Sequence, residues 1–352
     1  MHHSSTGRRD HDPTVSVVIP CRNEHGYIEA CVRSMLAQET CSGGFEVIVA
    51  DGMSDDGTRD ILERISREDS RLRMVDNPER ITPCGMNAGI AAARGKYVAI
   101  AGAHCRYAPD YLRQSVQVLD ETCADNVGGA VICEGQTLVQ RAAAAAHHSW
   151  FGAGGARWHD PDYDGPADTV FGGVYRREVF NRIGLFDREL IRNQDDEFNL
   201  RLTRSSGRVW QSRRIKSWYS PRKTLRSLFQ QYFQYGYWKV RVIQKHKLPA
   251  SIRHIVPVAF LSCLALLPLA ALVWPVAGLV WLALMASYAL CSVFAAAFSA
   301  ANRRDWAVLF VVPIVFACYH FGYGTGFLVG IRDFMMVRRG APNFAKKTTR
   351  TT

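Results

Sequence analysis

Charge is scarce where the chain is longest in apolar residues, and one sign of it is missing from a whole segment. Between Ile255 and Gly330 charge is confined to one short break at Asn302–Asp305. Such a stretch is not an ordinary solvated surface and reads as a membrane module behind a mixed, polar one. Between Arg204 and His254 there is no Asp or Glu against thirteen Lys or Arg. The net charge of +11 is therefore local, and the rest of the chain is close to balanced. A basic segment just ahead of apolar ones is expected to lie on anionic lipid; a nucleic-acid patch is the weaker alternative, so no nucleic-acid partner is expected. The ten cysteines include no C-x-x-C pair, and buried reduced thiols in a reducing compartment are the simplest account of them. The first residues are polar and hold no apolar run of the secretory kind, so the chain is expected to stay on the cytoplasmic side. With 48% hydrophobic residues, disorder is excluded as a general state.

What is present is alternation. Val15–Pro20 (VSVVIP) is a short, β-branched apolar run and predicts a buried parallel strand. A helical stripe follows at Ile28, Val32, Met35 and Leu36. Phe45–Asp51 predicts a second strand and Thr58–Glu68 its helix. Met74–Val75 marks a brief third strand, Met86–Ala93 a small-residue helix and Tyr97–Ala101 a fourth strand. Strands alternating with helices imply a doubly wound α/β sheet, whose ligands bind beyond the carboxyl ends of the strands. Arg22, Asn23 and Glu24, then Asp51, then His104 stand at those ends.

From Asp168 the alternation fails. Gly172-Gly173 allows close backbone approach. Gln194-Asp195-Asp196-Glu197 opens a helix continued by Phe198, Leu200 and Leu202. The helix dipole favours acids there, but three adjacent carboxylates beside a Gly-Gly turn point to catalysis. Leu228–Val242 interleaves aromatics with Gln, Lys and Arg and predicts an amphipathic helix at a membrane interface. Ile255–Val273, Val276–Phe298 and Trp306–Gly330 are each near the ~20 residues that cross a bilayer.

These motifs resemble the family 2 glycosyltransferases of GT-A fold, over roughly residues 14–250. VSVVIPCRNE, ADGMSDDGT and PCGMNAGI are widespread signatures of that family. DTVFGGVYRREVF, GLFDREL, QDDEFNLRL and QQYFQYGYWK are similar to its succinoglycan glucosyltransferase type. The resemblance implies a GT-A nucleotide-sugar-binding (Rossmann-like) domain followed by an α-helical membrane domain. It implies that Pro20, Arg22, Glu24 and Asp51 hold the nucleotide, with Asp51 accepting from the uracil N–H, and that Asn87 belongs to a donor-binding turn. His104 stands where the family's Asp-x-Asp or Asp-x-His motif ligates a divalent metal, Mg²⁺ or Mn²⁺, on the diphosphate. Gly102 replaces the motif's first carboxylate. Asp195 matches the general base of an Glu-Asp pair, with Gln194 in place of the Glu and Asp196 as the fallback. Gly172 and Gly173 fall in the acceptor region. Gln231, Gln234 and Trp238 fall on a Gln-x-x-Arg-Trp motif that here lacks its Arg, which makes a processive polymerase less expected.

The boundaries expected are a tail at 1–13, the GT-A domain at 14–225, a basic amphipathic interface segment at 226–253, transmembrane helices at 254–331 and a basic tail at 332–352. The activity expected is inverting transfer of a hexose, glucose first, from a UDP-sugar to a lipid-linked glycan, by a multi-pass inner-membrane protein with its catalytic domain in the cytoplasm. Transfer directly to a polyprenyl-phosphate carrier, or a non-catalytic relative with a degenerate metal motif, are the alternatives. The Gly-rich stretch His320–Gly330 is expected to let the last segment break into a re-entrant pair, so that the basic tail stays cytoplasmic.

Overall fold

The first apolar run forms strand β1 (Val15–Cys21), buried on both faces as a central parallel strand must be. The computed structural model describes residues 12–39, 42–155, 157–247 and 252–337. Helix α1 (Ile28–Leu36) buries Ile28, Cys31, Val32 and Met35, one stripe at helical spacing. Next come β2 (Phe45–Asp51), α2 (Thr58–Glu68), β3 (Leu72–Asp76), α3 (Thr82–Ala92) and β4 (Tyr97–Ile100). These strands are mutually parallel in the order β3-β2-β1-β4. Helix α3 needs its small residues: a Cβ at Gly89 would stand 2.3 Å from the Val18 side chain on β1.

Then follow β5 (Cys105–Tyr107), α4 (Tyr111–Thr122), β6 (Asn126–Gly129), β7 (Val131–Cys133), α5 (Leu138–His147), α6 (Trp150–Ala153), β8 (Gly165–Pro166), β9 (Phe171–Arg176), α7 (Glu178–Ile183), α8 (Gln194–Arg204), β10 (Val209–Gln211) and β11 (Ser217–Tyr219). Doubly wound alternation ends at β4. Strand β9 runs antiparallel to both β4 and β6, and β10 is parallel to β6 and antiparallel to β8. The sheet is therefore mixed, in the order β3-β2-β1-β4-β9-β6-β10-β8, with β5-β11-β7 as a second small sheet. The later strands are two to six residues long, too short to announce themselves by periodicity.

The chain divides into two compact units. The first runs to Ile132 and adds Pro161–Arg188 and Phe198–Trp218. Its core packs Val18, Ile48, Ile90 and Val98 with an aromatic group of Tyr175, Phe180, Phe186 and Phe198. The second holds Cys133–Asp160, Glu189–Glu197 and everything from Tyr219. It contains α9 (Leu225–His246), α10 (Val256–Ala271), α11 (Pro275–Arg303) and α12 (Val312–Gly330). The alanine face of α5 packs there against Ala295, Ala296, Ala300, Val312, Val315 and Phe316.

Among the described residues two helices, not three, are long and apolar enough to cross a membrane: α11, and α12 with its continuation to Met336. Helix α10 has 16 residues, or about 24 Å. The expected break in His320–Gly330 is also absent. Helix α12 runs through it unbroken, and its glycines serve close packing. A Cβ at Gly322, Gly326 or Gly330 would meet the carbonyl oxygen of Phe229, Phe233 or Tyr237 on α9 at 2.9, 2.0 or 2.8 Å. Gly236 on α9 reciprocates against the Tyr323 carbonyl at 2.0 Å. Four-residue spacing on both helices makes this one continuous seam. The expected tail at 1–13 lies outside the described residues up to residue 11. The basic tail does so from 338, with Arg338, Arg339, Lys346, Lys347 and Arg350.

Candidate active site

In the first unit, the loops after β1 and β2 are stapled together. The Asn23 side chain exchanges two hydrogen bonds with Asp55, Asn23 Nδ2 donating to Asp55 Oδ1 at 2.9 Å and the Asp55 backbone N–H to Asn23 Oδ1 at 3.1 Å. Glu24 N donates to Thr58 Oγ1 at 2.8 Å and His25 N to Asp56 Oδ2 at 3.1 Å. Asn23 adopts a positive φ of 55°, which its short polar side chain tolerates. Asp51, at the end of β2, is buried and well supplied with donors. Its Oδ2 accepts from Ser54 N at 3.1 Å and Arg59 Nη1 at 2.9 Å, and its Oδ1 from the Ser54 hydroxyl. Arg59 reaches Asp76 as well, at 3.0 Å. Ser54 and Arg59 were not singled out from the sequence. The DGMSDDGTR turn carried them, and only the fold shows that they face Asp51.

Glu24 and His104 meet: His104 Nε2 lies 3.0 Å from Glu24 Oε1, with the Tyr27 ring edge-on to the imidazole at 5.1 Å. The loop that carries His104 is fixed by Gly102, whose N–H donates to the Tyr107 hydroxyl at 2.7 Å. Pro20 ends the run of β1, and the Arg22 side chain lies along Gly52, whose virtual Cβ would be 3.0 Å from Arg22 Cβ. Asn87 has a structural engagement. Its amide donates to Phe186 O at 2.8 Å and accepts from Phe186 N at 3.0 Å, mid-helix rather than as a cap. Gly172 takes a φ of +57°, and the Tyr111 hydroxyl donates to its carbonyl. A Cβ at Gly173 would lie 2.5 Å from Asn126 Oδ1.

In the second unit, the acidic start of α8 is divided by its partners. Asp196 is paired with the buried Lys239 ammonium of α9. Glu197 is buried and lies 3.1 Å from His246 Nε2. Asp195 alone of the three is in no ion pair or side-chain contact of this kind among the described residues, although the nearby Lys239 charge still acts on it. It is exposed to solvent, and its one hydrogen bond accepts from Asp196 N at 2.9 Å. Crowding by protein atoms pushes its carboxyl up, toward about 6, and the Asp196 charge adds to the rise. For Asp196, desolvation raises the carboxyl, but Lys239, then His254 and Arg253, outweigh it and hold it below the usual range.

The preceding residues are tied to the same helix. Arg192 Nε donates to Gln234 Oε1 at 3.0 Å and Asn193 Nδ2 to Tyr235 O at 2.9 Å. Gln231 donates to the Tyr235 hydroxyl at 2.9 Å. Trp238 is fully buried, in ring contact with Tyr237 and Phe334. No face of it is open to stack on a sugar, which corrects the expected acceptor role. Lys239 and His246 were missed from the sequence, because 43 and 49 residues separate them from their acidic partners.

The sequence profile of glycosyl transferase family 2 matches residues 16–184. The chain is 33% identical over 282 residues to the succinoglycan biosynthesis protein ExoA of Rhizobium meliloti, across 76% of this chain and 85% of that one. The chain belongs to glycosyl transferase family 2. A Methanococcus voltae relative, named as a dolichyl N-acetyl-α-D-glucosaminyl phosphate 3-β-D-2,3-diacetamido-2,3-dideoxy-β-D-glucuronosyltransferase, is 26% identical over 239 residues, 66% of this chain and 74% of that one. The fold is similar to that of the mannosyltransferase PcManGT from Pyrobaculum calidifontis, solved with GDP-Man and Mn²⁺. The TM-score is 0.53 at 20% identity, over 88% and 87% of the two chains.

As a family 2 glycosyltransferase, this chain is tested for a divalent ion by its donor set. Among the described residues no three His, Cys, Asp or Glu are grouped to hold a metal. The His104–Glu24 pair offers one imidazole and one carboxylate. That pair fits a Mg²⁺ or Mn²⁺ ion whose remaining ligands are diphosphate oxygens and water.

Proposed function

We propose that this glycosyltransferase moves a hexose, glucose first, from a UDP-sugar to a lipid-linked glycan during polysaccharide synthesis at a membrane, with inversion. One observation carries the chemistry. Of the three carboxylates opening α8, Asp196 is paired with the Lys239 ammonium, Glu197 is engaged by the His246 imidazole, and Asp195 is left to take a proton. In the proposed step the acceptor hydroxyl oxygen bonds to the anomeric carbon while the bond from that carbon to the UDP oxygen breaks. The hydroxyl proton goes to Asp195, and UDP leaves. Displacement from the opposite face turns an α-linked donor into a β-linked product. A divalent ion held by His104 and Glu24 would neutralise charge on the departing diphosphate.

Asp51 supports a nucleotide role as a fixed acceptor at a strand end, with Ser54 and Arg59 holding its carboxylate in place. The name of the Methanococcus voltae relative describes an acceptor sugar already on a dolichyl phosphate, which supports a lipid-linked sugar over the bare carrier as acceptor. Helix α11 and the basic run before α10 support a membrane anchor with the catalytic unit in the cytoplasm. The test is a panel of UDP- and GDP-sugars given to detergent-solubilised full-length protein with Mg²⁺ or Mn²⁺. Release of UDP that stops in EDTA, and falls at least tenfold in His104→Ala, is expected. Full turnover in EDTA would sink the metal reading, and turnover of GDP-sugars alone would sink the UDP reading.

A further inference from the structure

The hairpin of α10 and α11 is built for a medium without water. Its reversal, Leu272-Val273-Trp274, carries no charged side chain and no polar group but the Trp274 indole N–H, and is the most exposed apolar point among the described residues, at 84%, 89% and 60%. Outward-facing leucines continue down both arms, among them Leu266 and Leu269 on α10 and Leu279 and Leu290 on α11. In water such a surface would be a severe liability.

The backbone groups at the reversal, and the carbonyl that a proline orphans, are satisfied from within the hairpin. At the reversal, Leu272 N donates to Leu269 O at 3.3 Å, and Val273 N and Trp274 N donate to Ala270 O at 3.1 and 2.8 Å. Pro275, next in line, has no N–H to satisfy. Further down, Pro268 inside α10 removes the donor that Leu264 O would otherwise receive. The indole Nε1 of Trp281 on α11 fills that place at 3.1 Å. An orphaned carbonyl rescued by a side chain of the neighbouring helix is costly to omit in hydrocarbon and nearly free to omit in water. Ser287 likewise turns its hydroxyl back to Leu284 O at 3.0 Å.

The roots of the hairpin differ. Arg253 and His254 precede α10, and Arg303 and Arg304 close α11. The base of α11 is covered by protein, with Ala295, Ala296 and Ala300 packed into the core that includes α5. Positive charge at both roots suits anionic headgroups on one face of a bilayer. Helix α10, at about 24 Å, is shorter than the ~30 Å hydrocarbon layer. Helix α12 is no part of this insertion, because its glycine seam holds it along α9, which carries Gln, Lys and Arg.

We propose that the α10–α11 hairpin dips into a lipid bilayer and returns, its tip held inside the apolar layer and both roots on the same face. The proposal rests on the membrane-anchor reading above and makes it specific: the chain enters the bilayer without crossing it.

The experiment uses the full chain expressed in bacteria. Wild-type protein is first tested for retention on membranes in alkaline carbonate. Release there would sink the anchor reading and this proposal with it. Val273→Cys is then placed in a chain whose ten native cysteines are changed to alanine, and is exposed to a membrane-impermeant maleimide. No labelling is expected in spheroplasts or in inverted vesicles, and full labelling once detergent is added. Labelling from the outer face would show a crossing hairpin, and labelling in inverted vesicles a hairpin outside the bilayer. Either overturns the dip while the anchor reading stands. Val273→Asp in the otherwise native chain gives an independent reading. A carboxylate held in hydrocarbon should raise the carbonate-soluble fraction at least tenfold, whereas a tip in water would leave it unchanged and overturn the proposal.

Discussion

Asp195 and Asp196 are adjacent in sequence and opposite in environment. Consecutive residues at a helix start point about 100° apart, and here one turns to Lys239 and the other to solvent. In the proposed mechanism, Asp195→Asn should lower turnover by about 10²–10⁴-fold with UDP affinity nearly unchanged. Asp196→Asn should cost much less, since it weakens an ion pair without removing the base. Measuring turnover and UDP affinity for both variants checks this, and normal transfer by Asp195→Asn would end the general-base reading. The raised carboxyl adds a sign. A base works only when ionised, so turnover should fall as pH drops through the Asp195 value, nearer 6 than the ordinary Asp range. An acid limb at or below pH 4 would contradict the crowding seen around Asp195. This part of the site was legible as residue types, because the triplet stands out in sequence. Which carboxylate stays unpaired was not legible, because Lys239 and His246 arrive from a distant helix.

At the scale of elements, the four parallel strands and their helices could be read directly, since each combines a β-branched run or a helical stripe with a turn. The mixed half of the sheet could not, and the glycines of α12 invited the wrong reading. Glycine in an apolar segment reads locally as a break; its partner, the carbonyl row of α9, is some 90 residues away. The seam predicts asymmetric sensitivity. Gly326→Leu would drive a side chain into Phe233 O, where even a Cβ has only 2.0 Å. Overpacking of this kind should cost roughly 1–3 kcal/mol or more. Gly278→Ala meets only ordinary contact, 3.4 Å from Ala271, and relieves the helix of a glycine. Melting of both variants in detergent should show a clear loss for Gly326→Leu and none for Gly278→Ala. Equal melting points would show that the seam does not hold the two helices.

For the molecule as a whole, stability should be lost on mild acidification, and three clustered histidines of the second unit contribute to this, alongside His254, which burial lowers in the same direction. His147 and His148 end α5, and the His159 ring lies 4.1 Å from that of His147. Burial lowers the affinity of all three for protons, with their mutual repulsion as a further cause for His147 and His159. His147 is held well below the usual value, and His159 is lowered to about 3. The sign follows from linkage. Below pH 6.5 the unfolded chain binds protons on these rings that the folded chain refuses, down to about pH 3 for His159, so stability falls as pH falls through that window. Each fully refused proton is worth up to about 1.4 kcal/mol per pH unit. Asp195 opposes the trend as a single group, because a raised carboxyl takes up its proton in the folded state first. Asp196 acts only as pH falls from its ordinary value of 3.8, and so well below the pH 5.5 at which this measurement ends. The melting temperature in detergent should therefore drop between pH 7.5 and 5.5. His159→Gln should shrink that drop, because it removes one titrating ring and the charge it would place beside His147. An unchanged melting temperature across that range, or an undiminished drop in His159→Gln, would show that these rings take up protons in the folded protein.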